Sequence, residues 1–177
     1  MTQTNTIVIR CCHGPGWLFW VFLSLFLWAV PAHAEPLQIQ RAYWIDASGK
    51  ADIERAQQQT FLPAPKVLAQ GYGTSATWLR VTVPPSALPE LVVTVTPSML
   101  DDVRLYTRAI PSESGASAVS WQMRQQGDHI AFNKRERQGL NFGFLITPSA
   151  NAPTVFFVRV ETTSSRVMYV SVHTPAG

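Results

Sequence analysis

Aromatic and arginine side chains lie close together at several points of this 177-residue chain. Trp78 is followed two positions later by Arg80, and Trp121 is followed three positions later by Arg124. A flat aromatic ring can cover the apolar C–H face of a sugar, while the planar guanidinium group binds hydroxyl or carboxylate oxygens. These residue types therefore raise the hypothesis of a carbohydrate-binding surface.

The predicted ligand contacts combine an aromatic platform with polar groups that lie outside the inferred core. They are Trp121, Arg124, Asp128, Arg135 and Tyr169. We interpret Trp78 differently, because tryptophan is highly buried on average. Trp78 is expected to pack beneath a helix or the N-terminal segment. Arg80 would then stack on that ring, or pair with an acid such as Asp46 or Asp101.

Regular alternation of apolar and polar residues predicts that most of the chain forms β-strands. The predicted strands cover residues 77–83, 91–96, 102–108, 120–125, 140–147, 155–162 and 166–174. One helix is predicted over residues 51–59, with Asp52 as its N-cap and Pro63 beyond its end. Short strands separated by proline, glycine and serine predict an all-β sandwich or barrel.

Alternation also separates core from surface, because successive side chains of a strand point to opposite faces. The predicted core residues are Leu79, Val81, Val83, Val103, Leu105, Leu140, Phe142, Phe144, Ile146, Phe156, Val158, Val160, Met168, Val170 and Val172. The opposite faces are predicted to carry Trp78, Arg80, Arg104, Tyr106, Arg108, Arg159, Glu161, Tyr169 and His173. Aromatic residues and arginines therefore share the outer faces of several strands.

Residues 1–34 are predicted to be an export signal rather than part of the folded domain. An apolar run covers residues 17–30, and the small residues Ala32 and Ala34 after it fit a cleavage site. The run is shorter than the roughly 20 residues of a membrane-spanning helix, although an uncleaved membrane anchor is the alternative. The predicted domain therefore covers residues 35–177 of a periplasmic protein.

Charge and cysteine content argue against several classes of protein. The 14 basic and 11 acidic residues give a formal net charge of +3, which is too small to predict a nucleic-acid partner. Cys11 and Cys12 both precede the predicted cleavage site, so the domain is predicted to have no disulfide and no thiolate metal site. His129 and His173 lack a second ligand at a recognisable spacing, so no metal or other cofactor is predicted.

The sequence contains no recognisable catalytic constellation. Asp101 and Asp102 are neighbours and would point to opposite faces of a strand, whereas a glycosidase needs two carboxylates that face one sugar. Gly71 and Gly73 precede a predicted strand rather than a helix, which is the wrong context for a dinucleotide site. The protein is therefore predicted not to be an enzyme.

An ordered set of short motifs resembles the type 2 extracellular domain of bacterial seven-transmembrane receptors with diverse intracellular signalling modules (7TMR-DISM). The motifs are YWID at 43–46, FLP at 61–63, GYG at 71–73, TWLRVTV at 77–83, TPSMLDDVRLY at 96–106, GDHIAFNKR at 127–135, FGFLI at 142–146 and FFVRVET at 156–162. The family pattern maps onto Trp44, Asp46, Trp78, Arg80 and Arg159, which we interpret as structural positions.

The resemblance implies a jelly-roll β-sandwich similar to carbohydrate-binding modules, and a periplasmic sensor that precedes seven membrane helices. It also implies a carbohydrate ligand and an output through a histidine kinase or a diguanylate cyclase. The chain stops at Gly177, so it is expected to be either a fragment of a receptor tethered to the inner membrane or a free-standing module. We predict a non-catalytic ligand-sensing domain, with a free-standing protein-interaction module as the alternative.

Overall fold

The structure is a computed structural model that describes residues 37–109 and 120–175. The predicted export signal at residues 1–34 and the loop at residues 111–118 lie outside the described residues. The elements in chain order are β1 Gln40–Asp46, α1 Ile53–Ala56, β2 Leu62–Pro63, β3 Leu68–Ala69, β4 Ala76–Val83, β5 Leu91–Thr96, β6 Asp102–Arg108, β7 Trp121–Gln126, a 3-10 turn Phe132–Lys134, β8 Phe142–Ile146, β9 Thr154–Glu161 and β10 Val167–His173.

Two antiparallel sheets build a β-sandwich, which confirms the predicted fold class. The larger sheet has six strands in the order β2-β1-β4-β9-β6-β7. The smaller sheet has four strands in the order β3-β10-β5-β8. Both sheets are hydrophobic on their inner faces, so each one buries that face against the other.

The space between the sheets is filled by aliphatic and phenylalanine side chains, as alternation predicts. Every predicted core residue except Leu140 belongs to this buried cluster. The prediction for Leu140 is wrong, because this side chain is 91% exposed. The reason is that β8 begins only at Phe142, so the alternation at residues 140–141 lies before the strand and has no sheet to orient it.

The helix is shorter than predicted, since α1 covers Ile53–Ala56 rather than residues 51–59. Its predicted N-cap is confirmed, because the Asp52 carboxylate accepts a hydrogen bond of 2.8 Å from the backbone N–H of Arg55. The sequence analysis also missed β1, β2 and β3. The first lacks clean alternation and the other two have only two residues each.

A second hydrophobic cluster covers the outer face of the larger sheet. Ile53 and Ala56 of α1 pack there with Phe61, Trp78, Tyr106 and Phe157. This outer face is therefore covered over part of its area, although alternation by itself predicts that it faces water. No helix within the described ranges is both long and apolar enough to cross a lipid bilayer.

Candidate functional site

Trp78 lies in the second hydrophobic cluster and is completely shielded from solvent. Its ring centroid is 5.2 Å from that of Tyr106, and the two planes are inclined by 31°. Two residues of α1, Ile53 and Ala56, belong to the same cluster, which agrees with packing of Trp78 beneath a helix. The indole therefore presents no surface to a ligand.

Arg80 contacts a different ring from the one that the sequence analysis expected. Its guanidinium carbon lies 5.0 Å from the ring centroid of Phe61, and the residue is exposed. The acids named as alternative partners are engaged elsewhere, Asp46 with Ser48 and Asp101 with Thr163. The predicted partners of Arg80 are therefore wrong, because Phe61 comes from a loop whose path alternation does not encode.

Asp46 organises the turn between β1 and α1. Its Oδ1 accepts hydrogen bonds from the Ser48 hydroxyl at 2.6 Å and the Ser48 amide at 3.0 Å, and its Oδ2 accepts one from the Ala51 amide at 2.8 Å. Burial by itself would raise the pKa of this carboxyl, but the hydrogen bonds outweigh it and hold the pKa below its usual value. The turn thereby places α1 over Trp78.

Arg159 lies on the same outer face and is nearly inaccessible to solvent. Its Nη2 donates to the carbonyl oxygen of Gly49 and to Oε2 of Glu161, both at 2.7 Å. Its Nη1 lies 3.5 Å from Oδ2 of Asp102. These contacts join three segments of the domain. Arg159, which stands at a position that the family pattern assigns to arginine, therefore has a structural role here.

The predicted ligand contacts are not brought together on one surface. Tyr169 lies on the smaller sheet, where the cationic groups of Arg41 and Lys66 are each 5.5 Å from its ring centroid. The Arg135 guanidinium carbon lies 4.9 Å from the ring centroid of Phe142. These two predicted contacts belong to separate local packing arrangements.

Trp121 and Arg124 point to opposite faces of β7, although both belong to the predicted set. Arg124 pairs across the sheet with Leu105 of the core, whereas the Trp121 ring packs edge-on against Phe157 of the outer cluster. The reason is the spacing of three, since strand residues share a face only at even spacings. The two side chains therefore do not form one binding surface.

A groove of about 660 Å³ lies between β6 and β7 of the larger sheet and the end of β8 in the smaller sheet. The described residues that line it are Thr107, Arg108, Gln122, Arg124, Leu145, Ile146, Thr147, Pro148, Ser149, Pro153, Thr154 and Val155. This lining includes hydroxyl, amide and guanidinium groups but no carboxylate. Arg124 is the predicted ligand contact that lines it.

Arg124 is paired with an acid that the sequence analysis did not single out. Its Nη1 lies 2.7 Å from Oε1 of Glu136, and both side chains are 25% exposed. The same Oε1 accepts a hydrogen bond of 2.6 Å from the backbone N–H of Leu145 in β8. Glu136 stands within a short basic run, which gives no signal of a partner twelve residues earlier.

Comparison with known proteins gives the family. A family model described as 7TMR-DISM extracellular 2 matches residues 39–174. The chain belongs to this family. None of the curated proteins compared with the chain matches it. Membership makes this 7TMR-DISM domain a sensor domain of membrane receptors and implies a periplasmic location and association with a seven-transmembrane region.

The 7TMR-DISM domain has a second pocket of about 430 Å³ at the other end of β6. Asp101 and His129 line it, and together with Asp128 they place potential ligand atoms within 4.8 Å of one another. The amide of Asp128 donates to the carbonyl of Leu100 at 3.0 Å, which brings the two segments together. Sequence spacing gave no sign of this cluster, because its members come from separate turns.

Asp101 itself is already engaged in that pocket. Its Oδ2 accepts hydrogen bonds from the backbone N–H and the hydroxyl of Thr163, at 2.7 and 2.8 Å. The backbone hydrogen bond and then the hydroxyl are the main reasons that the pKa of Asp101 lies below its usual value. Asp101 thus connects the start of β6 to the turn that follows β9.

Proposed function

We propose that this 7TMR-DISM domain is the ligand-sensing part of a receptor tethered to the inner membrane, and that a carbohydrate binds in the groove between β7 and β8. The observation that carries the proposal is the groove itself. Its volume of about 660 Å³ falls within the range of about 300–1,000 Å³ that is typical of small-molecule sites.

The lining of the groove suits a ligand that is polar at its edges and apolar on its faces. Thr107 and Gln122 offer a hydroxyl and an amide, and Arg124 offers a planar guanidinium group. Leu145 and Pro153, which line the groove and are not buried, provide apolar surface for the C–H groups of a sugar ring. This division of the lining supports a carbohydrate better than a wholly apolar ligand.

A row of paired backbone positions supports a route from the groove to the C-terminal strand. Leu145 of β8, which lines the groove, lies opposite Val92 of β5. Val92 in turn lies opposite His173, the last residue of β10. Neighbouring strands are about 4.8 Å apart, so the groove wall and the end of β10 are separated by about 10 Å.

The mechanism that we propose is differential binding. A ligand that binds one arrangement of the groove more tightly than another shifts the balance between two receptor states. The shift would pass through β10 to the membrane region and from there to a histidine kinase or a diguanylate cyclase. The domain itself needs no catalytic residue for this role.

Thermal unfolding of the purified chain with a panel of oligosaccharides tests the proposal. A sugar at 100 times its dissociation constant is expected to stabilise the folded state by about 2.7 kcal/mol. Gln122→Ala, in the groove, should weaken this effect. Gln58→Ala, which changes an exposed glutamine just after α1, serves as the matched control and should leave it intact. An unchanged unfolding temperature with every glycan would overturn the proposal.

A further inference from the structure

We infer that the ligand of the groove carries a carboxylate, and that this carboxylate replaces Glu136 as the partner of Arg124. The inference rests on the proposed function for the position of the site. It adds the chemical class of the ligand and names the contact that the ligand exchanges.

The charge of the groove is the first reason. Arg108 and Arg124 both line it, and no carboxylate is among the described residues of the lining. Arg124 lies with its Nε buried and without a hydrogen-bond partner among the described residues. The Arg108 guanidinium carbon lies 5.8 Å from the Trp121 ring centroid, on the outer face of the sheet. Arg124, whose present partner is Glu136, is therefore the cation that an acidic ligand would meet from within the groove.

Glu136 already shows how a carboxylate fits this position. Its Oε1 accepts from Nη1 of Arg124 at 2.7 Å and from the backbone N–H of Leu145 at 2.6 Å. One oxygen thus satisfies a guanidinium group and an edge amide of β8 together. A ligand carboxylate that enters from the groove would find the same two donors.

The exchange is energetically accessible because the pair is not deeply buried. Both side chains keep 25% of their surface exposed, and ion pairs with access to water contribute little to stability. The backbone of the segment that carries Glu136 pairs with β8 at one isolated bridge, between Arg137 and Gly143, and the Arg135 guanidinium packs on the Phe142 ring. These two contacts do not depend on the Glu136 side chain. A ligand therefore has little stabilisation to overcome when it displaces Glu136.

Displacement of Glu136 would change the contact that β8 makes through the Leu145 amide. Leu145 is the first position of the row of paired residues that leads to β10. The amide of Leu145 would pass from a protein carboxylate to a ligand carboxylate, opposite Val92 and, one strand further, His173. The ligand carboxylate is thus the group that distinguishes the two states.

Isothermal titration of the purified chain with matched sugars tests the inference. The probes are galacturonate against galactose, glucuronate against glucose, and succinate as a carboxylate without a sugar ring. We expect each acidic sugar to bind at least tenfold more tightly than its neutral partner. In NMR spectra of the same chain, the backbone amide signal of Leu145 should shift when the acidic sugar is added.

Three variants separate an ion-pair exchange from a merely structural role. Arg124→Gln should abolish the preference for the acidic sugar, and Arg124→Lys should restore part of it because the positive charge returns. Glu136→Gln should strengthen binding of the acidic sugar severalfold and leave the neutral sugar unaffected, since only the charged competitor is removed. Glu54→Gln, at an exposed glutamate of α1, is the matched control.

The outcomes distinguish this inference from the proposed function. Equal affinity for acidic and neutral sugars would overturn the inference and leave a carbohydrate sensor. Binding of succinate without binding of any sugar would uphold the carboxylate and overturn the carbohydrate. Absence of binding by all the probes would overturn both.

Discussion

The Nη2 atom of Arg159 lies 2.7 Å from the carbonyl oxygen of Gly49, a residue 110 positions earlier in the chain. This contact joins β9 to the turn between β1 and α1. Because the same turn places α1 over Trp78, the arginine supports the covered outer face of the larger sheet. Its ion pair with Glu161 fixes the orientation of the guanidinium group.

Removal of the Arg159 guanidinium group should therefore destabilise the domain. The side chain is only 5% exposed, and breaking a fully buried pair costs about 3–5 kcal/mol. Glu161 is 44% exposed, so we expect a smaller loss of about 2–3 kcal/mol for Arg159→Met. Urea unfolding measures this loss. Arg55→Met, at an exposed arginine of α1, should change stability by less than about 0.5 kcal/mol, and an equally small effect of Arg159→Met would contradict the structural role.

The Asp46 turn should make stability depend on pH. The pKa of Asp46 is lower in the folded state than the unfolded value of about 3.9. The stabilisation by its ionised form is therefore complete well above pH 4 and is lost as the pH falls through the folded pKa. Asp46→Asn should cost about 1–3 kcal/mol at pH 7, because amide hydrogens would face the Ala51 amide.

Unfolding at pH 7, 5 and 3 checks this prediction. The difference in free energy of unfolding between the parent chain and Asp46→Asn should be smaller at pH 3, where the Asp46 carboxylate of the parent chain also begins to lose its charge. Asp52→Asn is the control, because asparagine caps a helix about as well as aspartate does. If the difference in free energy of unfolding stayed constant from pH 7 to well below the folded pKa of Asp46, ionisation of this carboxyl would contribute nothing to stability.

The contact of Gly127 with Asp101 predicts a strong effect of one methyl group. A Cβ at Gly127 would overlap the backbone oxygen of Asp101, so the backbone must shift. Gly127→Ala should cost about 1–3 kcal/mol or more. At Gly139 the nearest atom would be 3.9 Å away, and Gly139→Ala should be close to neutral. Similar midpoints in urea for both variants would mean that the two turns do not pack as described.

Leu105 and Leu140 form a matched pair that tests the core. Leu105 is completely buried between the sheets and Leu140 is 91% exposed. Leu105→Ala should cost about 2–5 kcal/mol, whereas Leu140→Ala should stay within about 0.5 kcal/mol. Chemical denaturation of both variants measures these values. A large loss for Leu140→Ala would restore the core position that alternation assigned to it.

Alternation was a sound guide inside the strands and failed where it was extended beyond them. β5 and β6 begin and end where the sequence analysis placed them. The sequence analysis assigned Leu140 to the core because apolar and polar residues also alternate over the two positions before Phe142. The period of two is a property of extended backbone, so it carries no information about residues outside a strand.

Of the five predicted ligand contacts, Arg124 lines the groove, and a role in binding stays a prediction for all five. Arg124 was chosen from sequence, and the structure adds Thr107 and Gln122 as its neighbours in the groove. Glu136 could not have been chosen, because its link to Arg124 depends on the path of the chain between β7 and β8. No periodic pattern encodes that path.

The sequence by itself determined the class of fold, most of the residues buried between the two sheets and the family that the motifs resemble. The fold class and the core follow from local spacing, because hydrophobic alternation decides which face of a strand is buried. The family rests on the resemblance of an ordered set of motifs. The tertiary structure alone decided that Trp78 is covered by α1, that Arg80 meets Phe61, and that a groove opens where β7 and β8 of different sheets approach. These features depend on contacts between distant segments, whose geometry is set by loops and by the packing of two sheets rather than by the period of any strand.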